Sequence, residues 1–246
     1  MREYRRFTWK DTNLRVACAA FDVVTTEIVQ QRQLLEAYIE RHPQFQTALV
    51  PLPLQPDAPP VVRLMAAAAD KTGVGPMAAV AGTLAQLGAE KAMAAGCAEA
   101  IVENGGDLFV ASNREVVVGI YAGENRVAAS LAFQLQPADL PLAICSSSSY
   151  LGHSLSFGDC DLATVVAADG ALADAAATLA CNEIHCEADL ESVLEKVGAI
   201  AGIRGILAVK NDRIGLWGSL PKLIRNTDPQ TTGKITCDRR SPGPAA

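Results

Sequence analysis

The chain has 246 residues, half of them hydrophobic, with a formal net charge of -6 and a pI near 5.1. That is enough apolar material to bury a core without disulfide or metal staples. The acidic balance disfavours a general nucleic-acid binder, whose electrostatic footprint is a basic patch.

The opening MREYRRFTWKDTNLRVACAAF carries charges but no apolar core followed by a small-residue cleavage site, so no signal peptide is expected. The longest Ala/Val/Leu-rich stretches are broken by Glu90 and Lys91, and by Asp169 and Asp174, so no membrane span is expected and the reading is a cytoplasmic protein. The seven cysteines are scattered and odd in number, which argues against a disulfide framework. In CNEIHC, Cys181, His185 and Cys186 could offer metal ligands, but no second cluster completes a tetrahedral set.

In chain order, RVACAAFDVV over Arg15–Val24 reads as a strand of small and branched residues. TTEIVQQRQLLEAYIERHP follows as an amphipathic helix, with Thr25 or Thr26 as its cap and His42-Pro43 as its end. Five prolines between Pro51 and Pro60 mark an extended loop. PPVVRLMAAAADKTG is a helix opened by proline, and GPMAAVAGTLAQLGAEKAMAAGC is a second. Ala78, Ala81, Gly82, Ala85 and Ala89 would let another backbone approach the second helix very closely, and such faces also suit a homodimer.

From Ala100 the period changes. AIVEN, DLFVA, EVVVGIYA, RVAASLAFQL and LAICS read as short strands, with Gly105-Gly106 as a hairpin turn. A serine loop, Ser146 to Ser149, precedes GHSLSFGDCD; ATVVAA is then a strand and GALADAAATLACN a helix. ADLESVLEKVGAI is another helix, and GILAVKNDRIGLWG closes as two strands around Asn211-Asp212. The expectation is an α+β protein: a mainly antiparallel sheet with packed helices. Residues 1–225 read as one domain, and residues 226–246 as a tail poorly ordered toward its end.

Few stretches carry chemistry. TGVGPMAAVAG fails the dinucleotide fingerprint, because Ala78 stands where the third glycine belongs and a helix precedes it. A glycine turn feeding a helix N-terminus still suits an anion, against an ordinary helix–helix turn. GHSLSFG is no nucleophile elbow, since Ser156 replaces the second glycine. His153, one of only three histidines, sits in a loop as either a functional or a solvent-facing residue.

In GALADAAATLACN, Asp174 and Thr178 stand four residues apart. At 3.6 residues per turn they share one helix face about 6 Å apart along the axis, and Asn182 extends the line. A carboxylate and a hydroxyl among alanines make a hard oxygen pair that suits Mg²⁺. The competing reading is a narrow solvent-facing stripe.

GVGPMAAVAG, IVENGGDLFV, the serine loop with GHSLSFGD, and TVVAADGALADAAAT together resemble the ApbE flavin transferase superfamily, and more closely its short UPF0280 branch. The resemblance covers most of the chain, and the four motifs are specific in combination. It implies an ApbE-like fold and a magnesium-dependent cleavage of the FAD pyrophosphate that passes FMN to a protein threonine. It implies Asp174 and Thr178 as metal ligands and Asp174 with His153 as catalytic residues. Gly75, Gly82, Gly105, Gly106, Asp107 and Ser147 would contact FAD or another flavin nucleotide. The partners implied are that nucleotide and an acceptor protein. Two departures stand out: Ala81-Gly82 replaces the usual lysine-glycine pair, and Ser154-Leu155-Ser156-Phe157-Gly158 replaces Asp-Pro-x-Thr-Gly. They leave open a non-catalytic nucleotide-binding or partner-binding member, or a diverged enzyme of sulfur or amino-acid metabolism.

Overall fold

A computed structural model describes residues 2–123, 130–150, 157–228, 230–234 and 236. The chain opens with a hairpin, β1 (Arg5–Trp9) and β2 (Thr12–Cys18), followed by the long helix α1 (Phe21–Arg41) and a single turn, α2 (Gln44–Thr47). The expected strand over Arg15–Val24 therefore ends at Cys18, and the helix begins earlier than Thr25. Tertiary packing explains this. Val24 and Ile28 are fully buried, and both reach Gly88 of a neighbouring helix, a face that only a helix can present. Thr25 is not a cap but sits inside the helix, with its hydroxyl donating back to the Phe21 carbonyl at 3.2 Å.

Beyond the proline-rich loop, α3 (Pro60–Thr72) ends at Gly73, which takes the left-handed conformation at φ 78°. A 3₁₀ turn (Pro76–Ala79) leads into α4 (Val80–Ala94). Strands β3 (Glu99–Asn104) and β4 (Asp107–Ser112) form the expected hairpin, with Gly105 and Gly106 at φ 64° and 104°. Next come β5 (Val116–Gly119), β6 (Leu131–Leu135), β7 (Leu142–Ser147) and β8 (Leu162–Ala167). The chain continues through α5 (Gly170–Glu183), α6 (Asp189–Gly198), β9 (Ile203–Lys210), β10 (Arg213–Gly218), β11 (Lys222–Arg225) and a short α7 (Thr231–Lys234).

Eight strands form one sheet in the order β1-β2-β3-β4-β7-β8-β9-β10, and β11-β6-β5 form a second of three. The pairings given by the register are all antiparallel, as expected from the sequence. Alternation along the large sheet divides the core. Val16, Val102, Phe109 and Val165 pack with the helices, whereas Ile101, Val110, Ile144 and Val166 pack against Val116, Phe133 and Leu135 of the small sheet. The architecture is thus helices, large sheet, small sheet.

Gly82, Ala85, Gly88, Ala89 and Ala92 of α4 are buried within the chain. A Cβ on Gly82 would lie 2.3 Å from the Gly170 carbonyl oxygen and 2.8 Å from Asp174 Cβ. One on Gly88 would lie 2.8 Å from Ile28. The close backbone approach expected from the sequence is therefore made to α1 and α5. Gly82, Ala85 and Ala89 are buried in these crossings, whereas Ala78 and Ala81 stay half-buried. No described helix is long and apolar enough to cross a membrane. Of the expected tail, residues 226–228, 230–234 and 236 belong to the described structure, and Thr236 is buried.

Candidate functional site

One cleft of about 1200 Å³ runs from the helix layer, around the β3–β4 turn, to the small sheet. Asp174 and Thr178 of α5 line it, and Asn182 continues the same face. The N-terminus of α5 is set by Asp169, whose carboxylate accepts from the Leu172 N–H at 3.1 Å, and by Gln86, which accepts from the Gly170 N–H at 2.6 Å. These two contacts fix the rotation of the helix. Asp174 and Thr178 are only 9% and 8% exposed, so the solvent-facing stripe is excluded: their polar atoms look into a cleft from an otherwise apolar helix.

Asp174 Oδ2 accepts the Gly82 N–H at 2.9 Å. Burial pushes its carboxyl up to about 7, although this hydrogen bond pulls it down. Asp107 lies beneath the serine loop and accepts the Ser146 N–H at 3.0 Å. Burial first, and then the nearby Asp174 charge, hold Asp107 well above the usual carboxylate range. Among the described residues neither carboxylate has a cationic partner.

This donor set fits a hard divalent cation. The carboxylate and hydroxyl of α5 supply oxygen, and a cation would relieve the repulsion between Asp107 and Asp174. Among the described residues no three His, Cys, Asp or Glu side chains gather as a ligand set. Cys181, His185 and Cys186 do not assemble: Cys181 is buried, Cys186 is exposed, and the His185 and Cys186 backbone N–H groups go to Asp189.

Gly75, Gly105, Gly106, Asp107 and Ser147 all line the cleft. Gly75 is required by close approach, since a Cβ there would meet the Ala48 carbonyl oxygen at 1.8 Å. Ser147 is buried, and its hydroxyl has no hydrogen-bond partner among the described residues. Gly82 does not line the cleft; its N–H is spent on Asp174 and its missing side chain on the helix crossing. His153 lies outside the described residues.

Sequence reasoning missed Asn104, Glu103 and Thr236, whereas Asn182 stood on the expected face. Asn104 holds the Ala81 carbonyl through its side-chain amide at 3.2 Å, tying the β3 end to α4. Glu103 is nine-tenths buried, and burial pushes its carboxyl up to about 7. Its Oε1 accepts the Gly106 N–H at 2.9 Å, while Oε2 has no partner among the described residues. Thr236 enters from the C-terminal segment, and Asn182 accepts the Phe157 N–H at 3.0 Å. A glutamate directly before Asn-Gly-Gly in an otherwise apolar strand was a readable signal for Glu103. Nothing local marked Thr236.

A family model described as AbpE bacteria matches residues 3–199. The chain is 44% identical to a UPF0280 protein of Methanocella arvoryzae over 198 residues, 80% of each chain. It is 36% identical to a UPF0280 protein of Methanocaldococcus jannaschii over 94% of this chain and 97% of that one. In fold it resembles the flavinyl transferase ApbE of Pseudomonas stutzeri in its apo form, with TM-score 0.57 and 14% identity, covering 90% of this chain and 95% of the other. The flavin transferase ApbE of Vibrio cholerae gives TM-score 0.56 at 12% identity, covering 89% and 97%.

Proposed function

The chain belongs to the AbpE bacteria family, in its UPF0280 branch, and from that premise we propose that it is a magnesium-dependent enzyme that cleaves the pyrophosphate of FAD and passes FMN to a threonine hydroxyl. The single observation that carries this reading is the meeting in one cleft of Asp174 and Thr178 with the Gly105-Gly106 turn and the unpartnered Ser147 hydroxyl.

In this reading Asp174 and Thr178 hold the cation, and Gly82 positions the Asp174 carboxylate through its N–H. When bound, Mg²⁺ neutralises pyrophosphate charge and eases departure of AMP. Ser147 supplies a free donor for a nucleotide oxygen, without a protein bond to break first. Gly106, where a Cβ would meet nothing within 4 Å, keeps the cleft wall low enough for close approach of a ligand to backbone. A general base is needed at the acceptor; His153 is the sequence candidate, and Glu103 is a described carboxylate bonded to the Gly106 N–H of the turn.

A second reading is a nucleotide-binding member without catalysis. The observation favouring it is Ala81-Gly82 in place of a lysine-glycine pair, which leaves that segment without a cation for phosphate. Titration calorimetry with FAD in saturating Mg²⁺, followed by an assay of AMP release, separates the two. Binding with AMP release supports the transferase; binding without it, in the presence of a threonine acceptor, supports the second reading; absence of binding overturns both.

A further inference from the structure

The C-terminal segment brings a threonine into the cleft. Past β11, the Asn226 N–H bonds the Ser130 carbonyl at 2.7 Å, and its side-chain amide holds the Thr231 hydroxyl at 2.9 Å. Lys234 pairs with Asp228. Gly119 of β5 makes room for this docking, because a Cβ there would lie 2.7 Å from Thr231 Cγ2. Thr236 then reaches the β3–β4 turn, 4% exposed, and lines the same cleft as Asp174.

Its hydroxyl has a specific environment. Thr236 Oγ1 donates to Glu103 Oε1 at 2.6 Å and accepts the Gly105 N–H at 2.9 Å. The Gly106 N–H fixes the same carboxylate oxygen at 2.9 Å, and the Thr236 N–H reaches it at 3.3 Å. A nucleophilic oxygen, a base within hydrogen-bond reach and a third group orienting the base are the parts an activated hydroxyl needs. The Gly105 N–H orients the hydroxyl oxygen, occupying one lone pair and leaving the other for attack.

We propose that Thr236 is an acceptor in cis: the protein attaches FMN to the hydroxyl of its own C-terminal segment. This rests on the transferase reading above and names the acceptor for it. In the step, Thr236 Oγ1 forms a bond to the phosphorus on the riboflavin side of FAD. The bond from that phosphorus to the bridging oxygen breaks, and AMP leaves with the bridging oxygen. The hydroxyl proton passes to Glu103. FAD is the co-reactant, and no oxidant or reductant is consumed. Burial keeps Glu103 near 7, basic enough to accept that proton at neutral pH.

The test incubates the full chain with FAD and Mg²⁺, then measures intact mass and flavin fluorescence after denaturation, with peptide mapping and AMP release in parallel. The expected result is a mass gain of one FMN less one water, mapped to Thr236. Thr236→Val should lose it, Thr236→Ser should keep it, and Glu103→Gln should slow it at least about tenfold. AMP release by the wild type without a covalent flavin, or with the flavin on another residue, overturns the proposal and leaves the transferase reading standing. Tighter FAD binding on truncation after Asp228, with no adduct in the full chain, also overturns it and makes the segment a plug. Neither FAD binding nor AMP release overturns both.

Discussion

The Gly82 N–H lies 2.9 Å from Asp174 Oδ2, across 92 residues of sequence, at the crossing of α4 and α5. One contact thus joins a close helix crossing to the proposed cation site. A Cβ on Gly82 would sit 2.3 Å from the Gly170 carbonyl oxygen. Gly82→Ala should therefore push the helices apart, lowering stability by about 1–3 kcal/mol. Because the same movement withdraws the N–H from Asp174, Mg²⁺-dependent FAD affinity should fall as well. Urea unfolding and calorimetry check the pair; a loss of stability with unchanged affinity would break the link between packing and site.

Asp174→Asn keeps an acceptor for the Gly82 N–H but removes the charge. The fold should survive, and Mg²⁺-dependent FAD binding should weaken by at least about tenfold, the scale of a lost charged ligand. Circular dichroism and calorimetry with and without Mg²⁺ check it. Unchanged affinity would remove Asp174 from the metal site.

The Asp174 carboxyl is pushed up to about 7 by burial, so below that pH a metal must displace a proton. Mg²⁺ affinity should then fall on acidification from pH 8 to pH 6, by up to about tenfold per pH unit once the group is protonated. Calorimetry across that range reads it, and a flat profile would count against the buried carboxylate as ligand.

Glu103 makes a separate prediction about stability. Its folded pKa of about 7 lies above the ordinary 4.5, so between those values the folded state binds more protons than the unfolded. Stability should fall as pH rises through this window, and the full penalty applies above 7. Glu103→Gln removes the ionisation while keeping an acceptor for Thr236 and Gly106. At pH 8 the variant should be more stable than the wild type by about 1–3 kcal/mol, a difference that vanishes near pH 4. Paired denaturation curves at the two pH values measure it.

Ser147 separates ligand contact from folding. Its hydroxyl bonds nothing among the described residues, so Ser147→Ala should change stability by less than about 0.5 kcal/mol. FAD affinity should drop roughly fivefold, the worth of one hydrogen bond. Equal affinity in the two proteins would exclude Ser147 from the nucleotide site.

Local pattern alone revealed much of this protein. The helical spacing of Asp174 and Thr178 on an alanine background placed them on one face, because the 3.6-residue period is a property of the backbone. Gly105-Gly106 announced a hairpin because that turn needs positive φ at both positions. The Pro60 start and Gly73 end of α3 were legible for similar local reasons. The antiparallel class followed from short strands closely spaced in sequence.

Other features depended on contacts between distant residues. Whether the Asp174 face met solvent or a cleft was decided by the crossing of α4 and α5, which the Gly82 and Gly170 backbones make possible. The assignment of Gly82 to packing, and the start of α1 at Phe21 in place of a longer strand, were settled by the same layer of close-packed helices. Glu103 and Thr236 lie 133 residues apart, and no periodicity links them. Only the return of the chain past the small sheet brings a hydroxyl to that buried carboxylate. Propensity and period act over a turn or two, whereas burial and electrostatic coupling arise from the packing of the whole chain.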